Sequence, residues 1–106
     1  MFMFTIEIKG RKHCIMGTYQ LKNKEFTLTV ISAGAEMKSL KDTKTRQEYL
    51  WQADPEFWGR TSPILFPIVG NYAQKQSIYE GKPYTLSQHG FARDMEFDLE
   101  SQTEEE

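Results

Sequence analysis

The chain has 106 residues, enough for one domain or part of a larger one, and its 13 basic and 15 acidic residues leave a formal charge of −2 with no basic block. That balance gives no electrostatic reason to expect nucleic acid or an anionic membrane as a partner. A single cysteine, Cys14, excludes an intrachain disulfide and a cysteine-based metal cage, and it fits a reducing, cytoplasmic setting.

Period-2 alternation dominates from the start. Phe2, Phe4, Ile6 and Ile8 share one parity, with Thr5 and Glu7 on the other, which is a strand pattern. The basic residues that follow this apolar opening stand in the reverse order of a secretory signal. Residues 1–15, which carry this alternation, are either an extension or an extra edge strand ahead of residues 16–106. His13 and Cys14 are adjacent and would point to opposite faces of a strand, a poor pair for a metal or a nucleophile–base couple.

Phe26, Leu28 and Val30 repeat the alternation, with Thr27 and Thr29 opposite. Residues 35–51 read as two strands about a turn at Asp42-Thr43, the second strand spanning Glu48-Tyr49-Leu50-Trp51. Asp54-Pro55 has the form of an N-cap followed by proline and opens a short turn through Glu56 to Trp58. The longest uninterrupted apolar run, Ile64 to Val69, is far too short to cross a bilayer. Lys75 to Tyr79 and Lys82 to Leu86 flank Glu80-Gly81, a β-hairpin whose glycine supplies a positive φ. Met95, Phe97 and Leu99 alternate with Glu96 and Asp98 in a last strand, and Glu104 to Glu106 form a solvated end.

Several short strands with turn signals between them predict an all-β fold, an antiparallel β-sandwich. Aromatic residues make up 13% of the chain. In such a fold they serve as core, or as platforms on which sugar rings stack. Ser62 and Ser87 lack a GxSxG elbow, so a hydrolase triad has no support.

The segments SAGAEMKSLKD, EYLW with DPEFW, SPILFPIVG, YEGKPYTL and QHGFARD follow one another between about Thr18 and Leu99. In that order they resemble the aldose 1-epimerases, the galactose mutarotase-like proteins, and among them the branch that carries HGFAR. The resemblance implies a galactose mutarotase-like supersandwich that is incomplete here, because the chain stops where such an enzyme is about a third built. It is thus similar to an N-terminal portion of one. Exposed strand edges would then favour self-association.

Family members interconvert the α and β anomers of free sugars. A glutamate late in the chain takes the proton of the C1 hydroxyl, and a histidine mid-chain protonates the ring oxygen. The ring opens, rotates and recloses, with no cofactor and no metal, because both proton transfers lie within reach of side chains. His89 matches the first of the family's two active-site histidines, with substrate positioning as its first role and acid as its second.

Arg93 in the same motif suits a sugar phosphate through a bidentate contact. The structural alternative is an ion pair with Asp94 or Glu96, or a buried fork fixing loop carbonyls. Asn71 stands where sugar-binding members carry an arginine, keeping hydrogen-bonding capacity but losing the charge. The implied partner is a sugar or sugar phosphate. Neither the late glutamate nor the second histidine has a counterpart before Glu106, so the isolated chain is expected to show little activity. The competing reading is a carbohydrate-binding fragment without catalysis.

Overall fold

The computed structural model describes residues 17–102; the strand expected over Phe2 to Ile8, His13, Cys14 and the terminal glutamates lie outside them. The described residues form five strands: β1 (Thr18–Lys22), β2 (Phe26–Ile31), β3 (Met37–Asp42), β4 (Gln76–Tyr79) and β5 (Lys82–Thr85). Two single 3₁₀ turns, Ala73–Lys75 and Ala92–Asp94, are the only helical pieces among them. The all-β, antiparallel expectation is met.

β1, β2 and β3 make an antiparallel meander in which Leu21 faces Leu28 and Leu28 faces Leu40. β1 went unrecognised in the sequence because Tyr19 and Leu21 alone carry its apolar parity, too few repeats to read as a period. Asn23 turns the chain into β2, its side-chain oxygen accepting the N–H groups of Glu25 (2.9 Å) and Phe26 (2.7 Å). Asp42 does the same after β3 for Lys44 (2.8 Å) and Thr45 (2.7 Å), which makes the predicted turn. The second sheet is the predicted hairpin. Tyr79 pairs with Lys82, and Glu80 (φ 48) and Gly81 (φ 74) both have the positive φ of a turn matched to strand twist.

Two expected strands do not form. Glu48 to Trp51 makes one bridge, Lys41 to Glu48, before leaving β3. The Glu48 carboxylate accepts the N–H groups of Leu40 (2.9 Å), Tyr49 (3.1 Å) and Leu50 (3.0 Å) and the Ser39 hydroxyl (2.5 Å). The carboxylate takes the Leu40 and Leu50 N–H groups, while Tyr49 N–H still donates to Leu40 O (2.9 Å) and Asp42 N–H to Gln47 O (3.0 Å), so the pairing stops after this short stretch. Met95 to Leu99 keeps alternating burial but lies against the β2–β3 connection, with Phe97 N–H donating to Ser32 O (2.9 Å) and Gly34 N–H to Met95 O (2.6 Å). A loop offers no strand to pair with, so only the Ala33–Glu96 bridge results.

Leu21 and Ala92 are the only buried hydrophobic residues described, beside buried Ser32, Glu36 and Thr61. Large apolar side chains stand in solvent instead, with Val69 77%, Ile78 75% and Phe57 74% exposed. Sheets bury a face by packing on a second layer. Among the described residues no such layer covers β4, which leaves Ile78 in solvent, whereas Val69 and Phe57 lie in irregular segments.

Candidate functional site

The segment from Ser62 to Gly70 and the turn after β5 are laid side by side by backbone bonds. The Phe66 carbonyl accepts the N–H groups of Phe91 (2.9 Å) and Ala92 (3.2 Å), and Phe66 bridges Gly90 in parallel. Gly90 is required there. Its φ is +72, and an added Cβ would overlap the Phe66 carbonyl. Ser87 closes the turn on the other side, its hydroxyl donating to Gly90 O (2.7 Å).

This scaffold brings His89 against Gly70. His89 N–H donates to Gly70 O (2.8 Å), and Gly70 N–H donates to the imidazole Nδ1 (2.8 Å). His89 is half-buried and has a left-handed φ of 65. Asn71 follows Gly70 directly and is exposed, so the Gly70 backbone sets it next to His89 in the fold.

Arg93 sits on the second 3₁₀ turn. Its Nη2 donates to Gln88 O (2.9 Å) and its Nε lies 3.7 Å from Asp94 Oδ2, with that Nε buried and without a hydrogen bond. Both structural alternatives weighed for it, the Asp94 pair and the grip on a loop carbonyl, are therefore present. Neither His89 nor Arg93 lies on a strand; both belong to the irregular segment after β5.

Arg60 escaped the sequence reading. Its Nη1 donates to Arg93 O (3.0 Å) and its Nη2 pairs with Asp94 across 34 positions. Glu36 is a second missed anchor. Its Oε1 accepts Thr61 N–H (2.6 Å), Ser62 N–H (3.2 Å) and the Lys38 ammonium (3.3 Å), tying the start of β3 to the segment that leads to Gly70. Burial pushes its carboxyl up, but these donors outweigh burial and hold its pKa below the usual carboxylate value.

A cleft of about 360 Å³ opens beside β4 and β5, lined chiefly by Pro67, Tyr72, Tyr79, Tyr84, Leu86 and Phe91. Its wall residues flank Gly70 and His89 in the chain, and three of them are tyrosines, each an aromatic ring carrying a hydroxyl. Trp51 and Trp58 form a separate exposed pair, Trp51 Nε1–H donating to Trp58 O (2.8 Å). Among the described residues no three His, Cys, Asp or Glu side chains converge as a metal would need, and no helix is long and apolar enough to cross a membrane.

The model of the aldose 1-epimerase family matches residues 17–106. The chain belongs to the aldose 1-epimerase family. It is 42% identical to the chromosomal protein LacX of Lactococcus lactis subsp. lactis, over 82% of this chain and 30% of that protein. Among solved structures it is similar to the galactose mutarotase related enzyme of Lactobacillus acidophilus (44% identity, TM-score 0.80), over 84% of this chain and 30% of that one. The galactose mutarotase-like protein of Lactobacillus casei gives 40% identity and a TM-score of 0.79, over 83% and 30%. The chain thus spans about 30% of the length of these relatives, as an N-terminal portion of the family's sandwich would.

Proposed function

We propose that this chain carries part of the sugar site of an aldose 1-epimerase, which interconverts the α and β anomers of a hexose or hexose derivative by acid–base ring opening. The reading is carried by the family match over residues 17–106 together with His89 of the HGFAR segment, which is clasped to Gly70 beside Asn71. His89 positions the substrate, Asn71 and Arg93 contact it, and the partner is a free or phosphorylated sugar. Arg93 keeps only part of its guanidinium for that purpose, since Nη2 already serves Gln88. Residues 1–15 precede the matched stretch and are proposed as an extension, and the single cysteine suits a cytoplasmic setting.

The chain alone should be a poor catalyst. A positioned acid or base contributes ~10²–10⁴-fold, and the described residues supply no counterpart of the late glutamate base or of the second histidine. Polarimetry of fresh α-D-galactose or α-D-glucose with the purified chain tests this, with a rate close to the spontaneous one expected. Rapid mutarotation that His89→Ala abolishes would mean an unrecognised base within the chain.

The aromatic cleft favours a second reading, a module that holds sugar without catalysis. Sugar titration that shifts tyrosine resonances of the cleft, with no gain in mutarotation in any longer form of the protein, would decide for it.

A further inference from the structure

We propose that Gly70 sets the tautomer of His89, so that the ring meets a sugar oxygen as a fixed Nε2–H donor; the sugar contact rests on the site reading above. A neutral imidazole has one N–H and one lone-pair nitrogen. The Gly70 amide can only donate, and it lies 2.8 Å from Nδ1. Nδ1 is therefore the lone-pair nitrogen, and the proton is on Nε2.

The clasp is reciprocal, because His89 N–H returns a 2.8 Å bond to Gly70 O. The ring is thus oriented by main chain, not by a side chain that could swing away. His89 adopts φ 65 to reach this position, a left-handed conformation unfavourable for a residue with a Cβ that persists where the surroundings over-determine it. Here the Gly70 bonds on one side and the Gly90–Phe66 bridge on the other do so. Among the described residues, Nε2 has no hydrogen-bond partner.

The consequence is chemical. A pyranose ring oxygen has lone pairs and no proton, so only a donor engages it. The C1 hydroxyl proton needs an acceptor, which this ring does not present at Nε2. An imidazolium carries protons on both nitrogens and cannot accept the Gly70 N–H, so the clasped ring is the neutral one. His89 is then a positioning donor to a ring or hydroxyl oxygen. It is neither the base at C1 nor, while clasped, the group that surrenders a proton.

Three readouts test this on the ¹⁵N-labelled full chain. In ligand-free protein, a through-hydrogen-bond coupling between the Gly70 amide nitrogen and His89 Nδ1 is expected, with Nδ1 at a pyridine-type shift. A protonated, pyrrole-type Nδ1 or an uncoupled Gly70 amide overturns the assignment. His89→Asn places an acceptor oxygen where Nδ1 lies, tolerates positive φ, and has nothing in place of Nε2–H. It should keep the Gly70 amide shift while weakening D-galactose binding about tenfold, the loss of one hydrogen bond.

His89→Gln should do the reverse, releasing the Gly70 amide while keeping a donor for the sugar. If His89→Asn binds galactose as well as the parent chain, the donor role is wrong. If the coupling is present but no resonance of the parent chain responds to D-galactose, the sugar-site reading fails and the tautomer assignment stands.

Discussion

Replacing Glu36 by alanine removes one oxygen that serves three donors. The side chain is 6% exposed, just ahead of β3, and its Oε1 accepts Thr61 N–H at 2.6 Å and Ser62 N–H at 3.2 Å. Alanine orphans both. A buried polar group left unpaired costs about 1–3 kcal/mol, and half-buried Ser62 lies nearer the lower figure, so the two together come to about 2–4 kcal/mol. The Lys38 pair adds little, since that ammonium is partly in water.

Total stabilities of about 5–15 kcal/mol are usual, and a chain whose described residues bury only Leu21 and Ala92 among its hydrophobics has little in reserve. Glu36→Ala should therefore lose a large share of the folded population. Glu36→Gln keeps an acceptor and exchanges charge-assisted bonds for neutral ones, at a cost of about 1 kcal/mol.

Urea unfolding followed by Trp51 and Trp58 fluorescence measures both variants. The pH dependence checks the cause. Burial raises the Glu36 pKa, but Thr61, Ser62 and Lys38 together hold it below 4.5 in the folded state. A carboxylate with a depressed folded pKa contributes fully above its unfolded value and loses that contribution as pH falls through the folded one. The gap between the parent chain and Glu36→Gln should thus be full at neutral pH and close below the unfolded value of 4.5. A Glu36→Ala loss no larger than the roughly 0.5 kcal/mol of a surface change, or a gap indifferent to acid, would refute the reasoning.

Gly81 and Gly90 share nearly the same φ, +74 and +72, but an added Cβ meets nothing at Gly81 and the Phe66 carbonyl at Gly90. Gly81→Ala should cost about 1 kcal/mol by denaturation, and Gly90→Ala clearly more, with loss of the Gly70–His89 amide signature; equal costs would contradict the packing described. The exposed Val69 and Ile78 should drive concentration-dependent self-association in sedimentation velocity, reduced by Val69→Lys and Ile78→Lys; a monomer at all concentrations would count against it.

Local chemistry was legible in the sequence by itself. The β4–β5 hairpin was readable because its alternation and its Gly81 turn lie within a dozen residues, and β2 because Phe26, Leu28 and Val30 repeat without interruption. The HGFAR segment named His89 and Arg93 as candidates, and their roles toward a sugar belong to the proposal above.

Strand pairing beyond the hairpin was not local. Met95 to Leu99 has the right period, but whether it forms a ladder depends on what lies beside it, and a loop does. Glu48 has strand neighbours, yet its own carboxylate captures their N–H groups. Only the tertiary structure decided the site's supports. Arg60 reaches Asp94 across 34 positions, Glu36 reaches Thr61 across 25, and Gly70 reaches the His89 ring across 19. Such contacts depend on the spatial meeting of segments, because a guanidinium, a carboxylate or an amide N–H accepts many partners, and only folding selects which one comes within bonding distance.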